Sequence, residues 1–244
     1  MKKSISVIII AIITSVQLTN AKSSLLSADF TDNFAIKISE GPAYLYGDIG
    51  VQAGKEPLSQ VVDWYSHNMS YMYSIGFQHF FANNLGFEGT FSKGRFSGKD
   101  EGTKRSARGY SYSSDLSIIS LQANFILLGG PYSIYKTPHT LYAFSGLGYV
   151  MSNPDTRGPL DLINDKFSTN NQSLSMPFGL AYQYNLSKSF SVGLEVCGQY
   201  AFRDFVDGVL PMESKANDII ANVGLTVIYK LFTGSSKSFC LCSL

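Results

Sequence analysis

Residues 68–81 of this chain read NMSYMYSIGFQHFF and alternate between apolar side chains and mostly small or polar ones. The apolar set occupies every second position from Met69 to Phe81, with His79 as the exception. A period of two over this length predicts a β-strand with two chemically different faces. The same alternation recurs through most of the chain, which restricts the fold to a β-sheet protein with one apolar and one polar surface.

The N-terminal segment predicts export from the cytoplasm. Lys2 and Lys3 precede an apolar run from Ile5 to Val16, and Thr19-Asn20-Ala21 offers a small-residue cleavage site. We therefore expect a signal peptide over residues 1–21. No later stretch approaches the ~18–20 consecutive apolar residues of a transmembrane helix. The mature chain is then expected to be either soluble in the periplasm or a membrane β-barrel.

Composition favours the membrane alternative. Charged residues make up 15% of the chain and aromatic residues 14%, whereas charged residues usually reach ~25% in soluble proteins. The formal net charge is +1, which gives no electrostatic reason to expect nucleic acid as a partner. No linker or low-complexity segment divides the chain, so we expect one barrel domain over residues 22–232 and a C-terminal tail over residues 233–244. Cys240 and Cys242 in that tail lack the further ligands of a zinc site.

The alternation predicts eight strands, each about ten residues or longer, which is enough to cross an apolar band of ~25 Å. The gaps between them run long, short, long, medium, long, short and long, which is close to the alternation of external loops and periplasmic turns. Only the gap from Leu128 to His139 is longer than a periplasmic turn should be. We therefore predict an all-β fold, an eight-stranded antiparallel up-and-down transmembrane β-barrel. The predicted strands are Phe34 to Tyr46, Met69 to Phe81, Leu85 to Ser97, Tyr110 to Leu127, Thr140 to Met151, Ser173 to Tyr184, Phe190 to Arg203 and Asp218 to Leu231.

The polar face indicates which side is outside. In the last three strands it consists mainly of Ser, Gly, Asn, Gln and Thr with a few charges of both signs. A water-facing exterior would carry many Lys and Glu residues, whereas small residues suit the narrow interior of an eight-stranded barrel. The apolar face is therefore predicted to contact lipid. Two irregularities, Pro177 and the pair Leu116 and Ile118 on the polar parity, predict a bulge or a strand end.

The stretches LYAFSGLGYV (Leu141 to Val150), FSVGLEVCGQYAFRDFVDGV (Phe190 to Val209) and NDIIANVGLTVIYKL (Asn217 to Leu231) resemble small outer-membrane barrels of the OmpA/OmpX-like superfamily. They are similar to a Bacteroidota family that includes barrels linked to type IX secretion and gliding. The resemblance implies an outer-membrane location and an accessory role in a secretion or envelope complex. The chain departs from the pattern at its end, where TGSSKSFCLCSL follows Phe232.

Four charged residues share the predicted interior parity: Glu88, Glu195, Arg203 and Lys230. Because buried charges must be paired, we expect them to form a structural ion-pair cluster that plugs the lumen. Glu195 and Arg203 are too far apart on one strand to touch each other, so their partners must come from other strands. Glu195 is expected to contact a cation such as Lys230 if the stagger of the strands brings them level. Replacing Glu195 would then leave one cation unpaired.

The sequence offers no convincing catalytic or cofactor site, and we expect no cofactor and no metal. His67 and Ser70 have opposite parity, which disfavours a catalytic pair of nucleophile and base. The loop carboxylates are interpreted as solvated side chains rather than as a calcium site; they are Asp155, Asp161, Asp165, Asp204 and Asp207. The leading prediction is a non-enzymatic outer-membrane barrel that contacts membrane lipids and lipopolysaccharide and binds an envelope protein through external loops. The alternatives are a periplasmic lipocalin-like carrier of a hydrophobic ligand and a small lipid-modifying barrel enzyme.

Overall fold

The computed structural model describes residues 34–47, 49, 70–80, 84–101, 106–130, 138–158, 166–167, 171–187, 189–203, 206–210 and 217–231. The predicted signal peptide, the C-terminal tail with Cys240 and Cys242, and His67 lie outside these residues. The strands in chain order are β1 Phe34–Tyr46, β2 Ser70–Phe80, β3 Leu85–Lys99, β4 Ser111–Gly129, β5 His139–Arg157, β6 Lys166–Phe167, β7 Asn171–Asn185, β8 Phe190–Ala201, β9 Val209–Leu210 and β10 Ile219–Lys230. Within the described residues, no helix has the length and apolarity needed to cross a membrane.

Eight of these strands form a closed antiparallel barrel in the order β1-β10-β8-β7-β5-β4-β3-β2. Each barrel strand thus pairs with the next one along the chain, and β1 closes the ring by pairing with β10, from Ala35 opposite Lys230 to Tyr46 opposite Ile219. The short strands β6 and β9 form a separate two-stranded sheet. The predicted eight-stranded up-and-down architecture is confirmed.

The strands are strongly staggered. Following paired residues once around the barrel from Ser175 of β7, through Lys37 of β1, leads back to Asn185 at the other end of β7. Stagger of this kind accompanies the tilt that closes a sheet into a barrel. It determines which interior side chains face one another.

The outer face of the barrel is apolar and much of its inner face is polar, as predicted. Large apolar side chains such as Leu147, Leu174 and Leu225 are 63–72% exposed on the outside. Exposed aromatic rings lie near both ends of the strands, including Tyr46, Tyr71 and Phe202 at one end and Tyr184, Phe190 and Tyr229 at the other. An apolar outer band between two aromatic girdles is the surface of a barrel in a bilayer. The protein is therefore an outer-membrane β-barrel.

The orientation in the membrane follows from the connections. The gaps from Phe80 to Leu85 and from Asn185 to Phe190 are short and lie at the barrel end where β1 begins and β10 ends. Outer-membrane barrels place their short turns in the periplasm and their longer loops outside. The opposite end, with Tyr46, Lys99, Arg157 and Ala201, is thus the external end.

The structure departs from the predicted strand pattern at several places, three of which lie in β4, β5 and β7. β5 continues to Arg157 rather than ending at Met151, and it pairs with β4 as far as Ser111. Pro177 interrupts the ladder between β5 and β7 without shifting its register, because proline has no N–H to donate. Leu116 and Ile118 keep the inward parity without a bulge between β3 and β4. Both are buried in the outer half of the lumen, which is apolar.

Candidate functional site

The centre of the polar lumen is an ion-pair triad formed by Lys37 of β1, Glu88 of β3 and Glu195 of β8. Lys37 Nζ lies 2.6 Å from Glu195 Oε2 and also contacts Glu88 Oε1. The three side chains are 1%, 0% and 8% exposed, respectively. The arrangement pairs one buried cation with two buried carboxylates.

The strands are arranged so that Glu88 can reach across the lumen. Gly76 of β2 lies opposite Lys37 in the register, and a Cβ atom at Gly76 would be 2.9 Å from Glu88 Oε1. Any larger residue at position 76 would therefore compete with the carboxylate for space. The second oxygen of Glu88 is held by two amides, because Gln78 Nε2 and Asn124 Nδ2 donate to Oε2 at 3.3 and 3.1 Å.

Sequence reasoning found the two carboxylates of this triad but missed its cation. Glu88 and Glu195 lie in the lumen, as their parity predicts. Lys37 was overlooked, although it shares the interior parity of Ala35 and Ser39 in β1. The alternation of side chains in β1 is therefore the signal that places Lys37 inside the barrel.

Lys230 was predicted as a partner of Glu195 only if the stagger of the strands brought the two side chains level, and it belongs to a different polar cluster. Its Nζ donates to Asn185 Oδ1 at 3.0 Å near the periplasmic end, and the same oxygen accepts hydrogen bonds from Gln183 and Ser191. Glu195 pairs in register with Gly224, far along β10 from Lys230. The stagger of β8 and β10 therefore keeps the two charges apart.

Arg203, the fourth predicted member of the interior cluster, is exposed. β8 ends at Ala201, so the alternation that assigned Arg203 to the lumen no longer applies at that position. Arg203 instead lines a shallow groove at the external end together with Tyr149, Gln172, Leu174 and Phe202. The prediction for this residue was wrong because it extended the strand two residues too far.

The outer half of the lumen is filled by apolar side chains. The largest buried members are Phe96, Tyr110, Tyr112, Leu116 and Ile220, packed together with Ile49 and Val206 from outside the barrel strands. Asp207 Oδ2 accepts a hydrogen bond from the N–H of Ile49, and Asp218 Oδ2 accepts one from the N–H of Val206. These two buried carboxylates anchor the loop residues that cover the apolar cluster.

The loop carboxylates considered as calcium ligands do not share one environment. Asp207 is buried, which differs from the expected solvated side chain, whereas Asp155 is exposed and accepts a hydrogen bond from Arg157. Asp161, Asp165 and Asp204 lie outside the described residues. In the part of the chain that the structure describes, no three His, Cys, Asp or Glu residues are grouped to hold a metal ion.

The described histidines make aromatic contacts. His79 stacks on Phe34 with ring centroids 4.2 Å apart, and His139 contacts the rings of Tyr182 and Tyr184. Ser70, considered earlier with His67, is buried on the interior side of β2. Both histidines lie at the barrel end that carries the short turns, where His79 is opposite Phe34 and His139 is opposite Tyr184.

The barrel is similar to solved outer-membrane proteins of low sequence identity. The fold is similar to Neisserial surface protein A (NspA), at 13% identity and a TM-score of 0.49 over 81% of this chain and 96% of that chain. It is similar to Ail, the attachment invasion locus protein of Yersinia pestis, at 13% identity and a TM-score of 0.42 over 82% of this chain and 99% of that chain. It is also similar to the outer membrane protease OmpT from Escherichia coli, at 10% identity and a TM-score of 0.43 over 85% and 100%.

The sequence matches the profile of a protein family. No curated protein matches the chain. The profile of a family described as a domain of unknown function, DUF6089, matches residues 41–241, which include the external end of β1 from Gly41 to Tyr46 and all the other strands of the barrel. The chain therefore belongs to the DUF6089 family.

Proposed function

We propose that this protein is a closed, non-enzymatic outer-membrane barrel that presents a rigid external platform to an envelope protein. The observation that carries the proposal is the filled lumen. The Lys37–Glu88–Glu195 triad occupies its centre, and the apolar cluster around Leu116 and Phe96 occupies its outer half. A barrel of eight strands is just wide enough for its inward side chains.

The polarity of the inner and outer faces of the barrel argues against the carrier alternative. A periplasmic lipocalin-like carrier needs a dry apolar cavity and a polar exterior, whereas this barrel has charged and amide groups in its lumen and exposed leucines on its outside. An outer-membrane barrel with this surface is not a soluble carrier.

The platform is formed by the external ends of β3, β4 and β5. β4 and β5 have 19 residues each, and their paired tips extend to Ser111 opposite Arg157. The outer faces of these tips are polar, with Lys99, Asp115 and Asp155 among the exposed residues. A paired, hydrogen-bonded tip offers a partner a preorganised surface, which lowers the ordering cost of binding. An accessory role in a secretion or envelope complex would use this surface.

The filled lumen predicts that the protein does not conduct. Purified, folded protein reconstituted in planar bilayers is expected to show no stable porin-sized conductance, because the buried triad and the buried apolar cluster occupy the lumen of a narrow barrel. A 16-stranded porin reconstituted in the same way serves as the positive control. Stable conductance steps from the folded protein would contradict a closed barrel.

The platform predicts a contact at the strand tips in intact cells. A photo-reactive amino acid introduced at Ser113 or Asn153 should produce one discrete cross-linked adduct with an envelope protein. The matched control is the same amino acid at Leu127, which lies at the periplasmic end of β4 and is 53% exposed. Adducts from Leu127 alone, or none from the tips, would argue against a partner on the platform.

A further inference from the structure

Glu40 is a charged residue on the lipid-facing side of β1. It is exposed and lies midway along the strand, between the aromatic residues Phe34 and Tyr46 at the two ends. The side chains before and after it on the same face are Ile38, which is 56% exposed, and Pro42. Ionisable side chains facing the hydrocarbon are unfavourable and indicate a functional contact by default. Glu40 therefore requires a partner that the lipid tails do not provide.

Lys93 of β3 is the nearest cation in the register on the same surface. Glu40 pairs with Tyr73 of β2, and Tyr73 in turn pairs with Lys93. Two strand spacings separate the backbones of Glu40 and Lys93 by about 10 Å. Among the described residues, neither side chain takes part in an ion pair. The chain thus carries opposite charges on the two sides of Tyr73, both exposed on the outer surface.

The surface between the charges is broad and apolar. Tyr71, Tyr73 and Ile75 of β2 are each more than half exposed, and Phe91 of β3 is 44% exposed. A two-fold axis parallel to the membrane normal and passing beside Tyr73 would place the Glu40 side of one copy against the Lys93 side of another. The interface would be self-complementary, as isologous dimers require. The long apolar stem of lysine allows its ammonium group to adjust in depth toward the carboxylate.

We infer that the β1–β2–β3 face binds a second copy of this chain, with Glu40 of each copy paired with Lys93 of the other across Tyr73. The interface of such a dimer contains two Glu40–Lys93 ion pairs, which are related by the two-fold axis. It also removes the exposed side chains of Tyr71, Tyr73 and Ile75 from contact with lipid. The inference concerns the side of the barrel and is independent of any partner bound to the external platform.

Cysteine cross-linking in native membranes tests the position of the axis. In a background with Cys197, Cys240 and Cys242 changed to serine, Tyr73→Cys should form a disulfide-linked dimer under mild oxidation because residues on a two-fold axis meet their own copies. The control is Phe178→Cys on β7, which is 42% exposed on the opposite side of the barrel. Equal cross-linking at the two positions, or none at Tyr73, would overturn the dimer.

Charge exchange tests the pairing in folded protein reconstituted at known density in vesicles. Glu40→Lys and Lys93→Glu should each lower the dimerisation constant about tenfold or more, and the double exchange should restore it to within about threefold, as expected for a direct pair. Asp155→Lys at the platform is the control and should leave dimerisation unchanged. If the doubly exchanged protein dimerises as weakly as the single variants, Glu40 and Lys93 are not partners, and Glu40 contacts lipid or another protein instead. Cross-linking at Tyr73 tests the dimer even if a charge variant fails to fold.

Discussion

Lys37→Met is expected to destabilise the folded barrel by about 3–5 kcal/mol, because it leaves the buried carboxylates of Glu88 and Glu195 without their shared cation. The loss should appear as a lower midpoint of unfolding in urea and a lower temperature for loss of the fast-migrating folded band on a gel. Lys99→Met, at an exposed position of β3, should change the stability by less than about 0.5 kcal/mol.

Glu195→Gln separates the loss of one carboxylate from the loss of the shared cation. The sequence alone predicts that removing Glu195 leaves a cation unpaired, but Lys37 retains its contact with Glu88 when Glu195 is neutralised. Glu195→Gln should therefore cost clearly less than Lys37→Met. Equal losses, or an unchanged midpoint for Lys37→Met, would show that water reaches the triad and that the lumen is not closed.

Gly41→Ala is expected to destabilise the barrel where its first and last strands meet. A Cβ atom at Gly41 would lie 1.9 Å from the carbonyl oxygen of Val223 and 2.8 Å from the Cα atom of Gly224, both in the backbone of β10. No rotamer change can relieve a clash with backbone, so β1 and β10 must separate locally. We expect a loss at or above ~3 kcal/mol, the upper end of the usual cost of overpacking, and a reduced yield of folded protein.

Gly89→Ala is the matched control for this substitution. Gly89 also lies within a barrel strand, but a Cβ atom there would have no neighbour within 4 Å. Because glycine within a strand loses more conformational freedom than alanine, the control should be neutral or stabilising by up to ~1 kcal/mol. Similar losses from both variants in the urea unfolding midpoint would show that loss of glycine itself, and not the approach of Val223, limits barrel closure.

The fold could be predicted from the chain because strand alternation is a local property. Successive side chains of an extended backbone point to opposite faces whatever the strand pairs with, so parity placed Glu88 and Glu195 in the lumen and Tyr73 and Leu225 on the outside. β1 was predicted with both of its observed ends. The errors in strand prediction lie at strand ends. β8 ends before Arg203, and β5 continues into residues that were expected to form a loop.

Sequence by itself thus determined the number of barrel strands, their order and, within each strand, the alternation of side chains between the two faces. Only the tertiary structure decided which interior charges meet, because contacts across the lumen join strands that are not neighbours and depend on the stagger of the closed sheet. That stagger brings Lys37 to Glu88 and Glu195 and places Lys230 beside Asn185. Closure involves all eight strands at once, so no single segment of the chain encodes it.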